Sequence, residues 1–274
     1  MRGLAKITRI TTQKKKKDRF NIFLDFGQGE SYGFSVSEDI LVQEALHKGM
    51  ELDDASIKAL MEKDDIQKSY TLTIHYLSYR MRSEKEIRDY LNKKETDPEQ
   101  IEVIIDRLYK EKLLDDQEFA NALVRSRVHT SSKGPMMVKK DLMEKGVSAA
   151  KAEEALTHYP FEAQYEKAMK FAEKKLRSDG KKSFRQQVQN LQQTLIQKGF
   201  TNDVVQEVIA NLPQSETEDA EWEAVVYQGE KILRKYERKA EGFELKQKVK
   251  GALYRKGFQM DEIQRFIEEY IENE

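Results

Sequence analysis

The chain has 274 residues, with 48 Lys and Arg against 49 Asp and Glu, 13 Gly, 4 Pro and no Cys. This length suits two domains or a repeat array better than one core, and few Gly and Pro among many charged residues predict a mostly helical protein. The absence of Cys excludes disulfides, thiolate nucleophiles and Cys-held zinc or iron–sulfur sites, and no apolar run approaches the roughly 18 residues of a membrane span.

The Met1-Arg2-Gly3-Leu4 start lacks the apolar core of a signal peptide, so a cytoplasmic protein is expected. Residues 3–36 alternate at period two through Ile7, Ile10, Phe20, Ile22, Leu24 and Phe26, which predicts strands. Lys14, Lys15, Lys16 and Lys17 mark an exposed hairpin tip, Phe26-Gly27-Gln28-Gly29 a turn, and Tyr32, Phe34 and Val36 a third strand. Ser37 is the expected N-cap of a helix starting Glu38-Asp39-Ile40.

Helical spacing follows, and it repeats. Leu91, Leu142, Leu195 and Leu253 are anchors separated by 51, 53 and 58 residues. Four residues before them stand Ile87, Val138, Leu191 and Val249. Ten residues after come Ile101, Ala152, Val205 and Ile263, with further apolar residues fourteen and seventeen after. Three anchors lead into Lys145-Gly146, Lys198-Gly199 and Lys256-Gly257, the cation and left-handed glycine of a helix C-terminus. In the first copy Glu95 replaces the glycine, which predicts a looser exit. Asp97, Ser148, Thr201 and Gln259 precede the next helix, the first three being good N-caps, and Pro98 sits at the favoured first position. Ser83 with Glu86 and Ser183 with Gln186 read as capping boxes. Upstream amphipathic stretches at about 69–81, 115–128, 161–178 and 217–239 complete three helices per copy. The expected architecture is mainly α, an elongated tandem array of three-helix repeats with a small β-hairpin-containing head. Its divisions are 1–64 (head and helical connector), 65–114, 115–160, 161–213 and 214–274.

Catalytic signals fail on context. Gly29-Glu30-Ser31-Tyr32-Gly33 has the letters of a nucleophile elbow but precedes a strand rather than a helix. Asp179-Gly180-Lys181-Lys182-Ser183 resembles the end of a phosphate loop, yet Lys175 occupies the first glycine's place. His47, His75, His129 and His158 form no ligand spacing, and helix capping accounts for Asp53-Asp54 and Asp115-Asp116. No enzyme, metal or cofactor is expected. Charge alternates in blocks: residues 1–36 hold 8 Lys and Arg against 3 Asp and Glu, residues 37–64 hold 3 against 8. Solvated helix faces and patches for a composite protein–nucleic acid partner both fit that pattern.

Tyr76-Leu77-Ser78-Tyr79-Arg80-Met81-Arg82-Ser83, continuing to Leu91, resembles the first repeat of the RecX family of bacterial recombinase regulators. Leu114-Asp115-Asp116-Gln117-Glu118-Phe119-Ala120, Arg125-Ser126-Arg127, Lys133-Gly134-Pro135 and Leu142 to Gly146 resemble its second repeat. The motifs cover roughly 70–160, with a looser third repeat. The strand-rich head and fourth repeat depart from the three-repeat core and resemble the family's longer members. The resemblance implies a non-enzymatic, mostly negative modulator of the RecA recombinase. Such a protein lies along the RecA–DNA filament and limits its extension, ATP hydrolysis and strand exchange in DNA repair and the SOS response. It also implies a monomer with weak, salt-sensitive contact to single- or double-stranded DNA. Candidate contacts are Arg80, Arg82, Arg125, Arg127, Lys139 and Lys140 in the matched motifs. Lys174, Lys175, Arg177, Lys181, Lys182 and Arg185 join them around the third repeat, with Lys14 to Lys17 at the hairpin tip. Few aromatic residues accompany these clusters, so no base-stacking platform is predicted. A helical DNA-binding or transcriptional module acting without RecA, and a general helical scaffold, remain the alternatives.

Overall fold

The computed structural model describes residues 4–178, 180–212 and 217–272. The Met1-Arg2-Gly3 start, Asp179, the expected division at 213–214 and the side chain of Arg177 lie outside the described residues. The described residues form two compact units, those up to 119 with 145–147, and those of 120–144 with those from 148 onward.

In the first unit, β1 (Ala5–Thr12), β2 (Arg19–Asp25), β3 (Glu30–Ser37) and β4 (Glu51–Leu52) form an antiparallel sheet in the order β3-β2-β1-β4. The alternation seen in the sequence places Ile7, Ile22, Leu24, Phe34 and Val36 in the head's core. Asp25 closes the second turn by accepting from the N–H groups of Gly27, Gln28 and Gly29. Ser37 caps α1 (Glu38–Gln43) as expected. The two-residue β4 has no periodicity to announce it.

Next, α2 (Asp54–Ser78) is capped by Asp53 and begins well before the expected stretch at 69–81. One continuous helix serves both cores: Leu60 is buried against the sheet, Tyr70 against the first repeat. Its buried Asp64 is held by Arg19 of β2. A helix with a charged residue on its inward face shows no clean apolar stripe, which hides its first half from a periodicity argument.

α3 (Glu84–Lys93) and α4 (Pro98–Lys110) complete the first repeat. The second has α5 (Asp116–Thr130), α6 (Pro135–Glu144) and α7 (Ala149–Leu156). The third has α8 (Phe161–Ser178), α9 (Phe184–Gln197) and α10 (Asn202–Ala210). The fourth has α11 (Thr217–Tyr236), α12 (Gly242–Arg255) and α13 (Met260–Ile267), followed by one π-helical turn at Glu268–Glu272. All four anchor leucines and the residues four before them are fully buried. Val147, Phe200 and Phe258, following the glycines, are buried as well.

Glu95 takes the same left-handed conformation as the glycines, with φ 58° against 85° at Gly146 and Gly199. The N–H of Glu95 donates to Asn92 O at 3.0 Å and that of Thr96 to Leu91 O at 3.2 Å, so the first repeat's exit is formed at the cost of strain. This conformation costs a non-glycine residue about 1–2 kcal/mol, partly offset by glycine's larger unfolded entropy. Glu95→Gly is therefore expected to stabilise the protein by about 0.5–1 kcal/mol. Urea unfolding reads this directly, and an unchanged or lower midpoint contradicts it.

Candidate functional site

The expected basic residues are differently employed. Lys14 to Lys17 sit on the β1–β2 turn, exposed and without side-chain partners among the described residues. Arg80, between α2 and α3, forks onto Glu86 at 2.8 and 3.2 Å, and Lys145 reaches the same carboxylate at 2.8 Å. Arg82 lies 4.0 Å over the ring of Tyr76, which stacks on Tyr90 at 4.2 Å; Lys94 approaches the Tyr90 ring. The basic motif of the first repeat thus carries a tyrosine pair that no local sequence pattern announces. On α5, Arg125 is exposed, while Arg127 stands 3.9 Å from Asp141, which Lys133 also grips. Lys139 pairs with Glu153 and Lys140 lies 4.0 Å from Glu144. On α8, Lys174 is exposed and Lys175 half-buried. In the following loop Lys181 covers the Tyr227 ring at 4.7 Å, beside half-buried Lys182. Arg185 projects from the first turn of α9, exposed.

The glycine-ended turns have a second job. Each docks on the N-terminus of the middle helix of the preceding repeat. Ser83 Oγ, the N-cap of α3, donates to Lys145 O at 2.7 Å. Gly134 N, at the start of α6, donates to Lys198 O at 2.7 Å, and Met136 N to Gly199 O at 3.0 Å. Ser183 Oγ, the N-cap of α9, donates to Lys256 O. Carbonyls at one helix's negative end thereby meet the positive end of another. A Cβ at Gly146, Gly199 or Gly257 would lie 2.6, 2.5 or 2.9 Å from Lys85, Met137 or Ser183. Glycine is thus required at these three turns both for φ and for close approach. No three-helix repeat precedes the first, and Glu95 at its turn is exposed.

Equivalent positions differ in chemistry from joint to joint. Glu86 of the first joint corresponds to Met137 of the second and Gln186 of the third. Glu144 corresponds to Gln197 and Arg255. At the third joint a pocket of about 300 Å³ opens between Arg185, Gln186 and Gln189 of α9 and the Tyr254-to-Gly257 turn. Residue type and position in the sequence mark Arg185 as a candidate contact, whereas the signal of Tyr254, Arg255 and Lys256 lies in aligning the joints.

Residues 5–53 match the regulatory protein RecX N-terminal domain, 70–108 the first RecX three-helix domain and 115–156 the second. The third three-helix domain matches twice, at 162–209 and 219–267. Regulatory protein RecX of Oceanobacillus iheyensis is 53% identical over 272 residues, spanning 99% of this chain and 100% of that protein. The chain belongs to the RecX family. Its RecX relative in Halalkalibacterium halodurans is 43% identical over 264 residues, 96% of this chain and 99% of that one. A crystal structure of regulatory protein RecX superposes with TM-score 0.69 and 37% identity, covering 76% of this chain and all of that one. RecX from Lactobacillus salivarius gives 0.53 and 35%, covering 55% and 97%. Among the described residues no helix is long and apolar enough to cross a membrane, and no three acidic or histidine side chains converge as metal ligands.

Two RecX joints carry titrating acids of opposite behaviour. Burial tends to raise the Glu86 carboxyl, but Arg80, Lys145 and the Ser83 N–H outweigh it and hold the group at about 2. Glu221 of α11 accepts from Phe184 N, the first N–H of α9, at 2.7 Å. Burial, with Glu262 nearby, pushes its carboxyl up to about 7 despite that bond. A carboxyl raised in the fold from its ordinary 4.5 withdraws stability as pH rises from about 4.5 to about 7. Glu221→Gln keeps an acceptor for Phe184 N without the charge. It is expected to match the parent near pH 4.5 and exceed it by about 2 kcal/mol at pH 8. Denaturant titrations across this range test it, and a pH-independent difference contradicts the titration of Glu221.

Proposed function

We propose that this protein is a non-enzymatic, predominantly negative modulator of a RecA-type recombinase, acting in the cytoplasm as a monomer along the recombinase–DNA filament in DNA repair and the SOS response. Membership of the regulatory protein RecX family over nearly the whole chain carries this reading. The repeated joints support it. The residue after the anchor leucine is apolar and exposed at Met143, Ile196 and Tyr254 (52, 50 and 58%). Recurrent apolar spots of this kind suit a partner that presents the same surface once per subunit. Exposed cations at Lys14 to Lys17, Arg125 and Arg185 suit the phosphate of such a filament, and binding then weakens steeply with salt.

The test adds purified protein to RecA on single-stranded DNA and follows ATP hydrolysis and strand exchange. Both are expected to fall at substoichiometric amounts. Unchanged rates at equimolar protein overturn the proposal. Sequence-selective duplex binding without RecA would replace it with a transcriptional module.

A further inference from the structure

Three joints of one construction differ in how their charge is satisfied. At the first, Glu86 takes both Arg80 and Lys145. At the second, Met136, Met137 and Ile196 surround the turn positions, and Lys140 and Lys198 are the two cations in the equivalent set. At the third, Gln186 stands in place of that glutamate and Arg255 in place of Glu144. Arg185, Arg255 and Lys256 therefore line one concavity with no acidic residue in its lining. None of their side chains forms an ion pair or hydrogen bond among the described residues. Elsewhere the chain pairs exposed cations with an acid four residues away, as in Lys58–Glu62, Lys110–Asp106 and Arg234–Glu230. Three unpaired like charges around one pocket repel one another, and an anion relieves that repulsion.

The pocket also offers a flat face. Tyr254 is 58% exposed at its edge, and Gln186 and Gln189 add amides that donate or accept without selecting one base. Cations tracking a phosphate chain beside an exposed ring are the elements of single-strand recognition. We propose that the joint between the third and fourth repeats binds the phosphodiester backbone of single-stranded nucleic acid, with Arg185, Arg255 and Lys256 holding phosphates and Tyr254 stacking a base. A duplex keeps its bases inside and cannot use the Tyr254 ring. This deepens the proposed function by giving the fourth repeat a direct contact with DNA. It is tested without recombinase, so its failure and the failure of the filament reading are separable.

The experiment is fluorescence anisotropy of a labelled oligothymidylate titrated with full-length protein at several salt concentrations. The triple variant Arg185→Gln, Arg255→Gln, Lys256→Gln is expected to bind at least about tenfold more weakly. Its log–log salt slope should be shallower by about 2, for three lost contacts at about 0.7 each. Tyr254→Ala should weaken single-strand binding about fivefold or more and leave duplex binding within about twofold. A control triple, Lys58→Gln, Lys110→Gln and Arg234→Gln, removes equal charge and should stay within about twofold of the parent. Competition by ATP, inorganic phosphate and polyglutamate separates possible sources of the anion. ATP or phosphate binding as tightly as the oligonucleotide would assign the pocket to a free ligand and overturn the proposal. So would polyglutamate competing equally with Tyr254→Ala silent, or the two triples behaving alike. Thermal melts check folding; should the triple unfold, Arg255→Gln alone must still weaken binding about twofold or the proposal fails.

Discussion

Gly134→Ala is expected to destabilise the second compact unit by about 3 kcal/mol or more, although the added group is one methyl. A Cβ at this position would lie 2.3 Å from both Gly199 C and Phe200 N. Those are backbone atoms, so no side chain can swing aside. The Gly134–Lys198 and Met136–Gly199 hydrogen bonds must open together, each worth about 1 kcal/mol net and more when its groups stay buried. Phe200, 4% exposed in the third repeat's core, is drawn out with them. Gly180→Ala is the comparison, because a Cβ there meets nothing within 4 Å; it should shift stability by under about 0.5 kcal/mol. Hydrogen exchange locates the effect, with protection lost at Met136 and Phe200 and kept across α3. A Gly134→Ala protein as stable as its parent would show that the second joint tolerates separation.

The same joint explains what could be read in advance and what could not. Strand alternation, Ser37, Ser83, Asp97 and Ser148 as caps, and the buried leucine anchors are local patterns, repeated within a few residues, and all were legible. The glycines are legible as helix terminators, but their second role depends on a contact with a helix 62 to 73 residues earlier. In the sequence alone Glu95 consequently reads as a defect in the pattern. It occupies the one middle-helix turn with no preceding repeat to dock on, so a side chain is tolerated there. The basic candidates show the same limit. Residue type marks Arg80 as a cation, yet its employment is decided by Glu86 and Lys145. Arg255 and Lys256, between the last anchor leucine and Gly257, emerge as cations unpaired among the described residues only when the joints are compared position by position.

Asp64→Ala is expected to cost about 3–5 kcal/mol, the range for removing one member of a buried ion pair. Asp64 is 1% and Arg19 8% exposed. The carboxylate accepts from Arg19 at 2.8 and 3.3 Å and from Ser37 N at 2.7 Å, and Lys68 approaches within 2.9 Å. Alanine leaves the guanidinium buried with only its Ser35 bonds and strips an acceptor from the N-cap of α1. Burial tends to raise the Asp64 carboxyl, but Arg19, Lys68 and the Ser37 N–H outweigh it, so its value is lowered in the fold. Its contribution is therefore present above the ordinary 3.8 and lost as pH falls below it. The parent should lose strand protection on acidification through that range, whereas Asp64→Ala should already lack it at neutral pH and respond less to acid. The Arg19→Met, Asp64→Leu double variant, which removes both charges, should recover most of the loss. Exchange in β1 and β2 then reports the pair itself, because the first repeat's core around Ile87, Leu91 and Leu108 contains neither residue. Full strand protection in Asp64→Ala at neutral pH would mean that apolar packing around Leu60 holds the sheet to α2 without the ion pair.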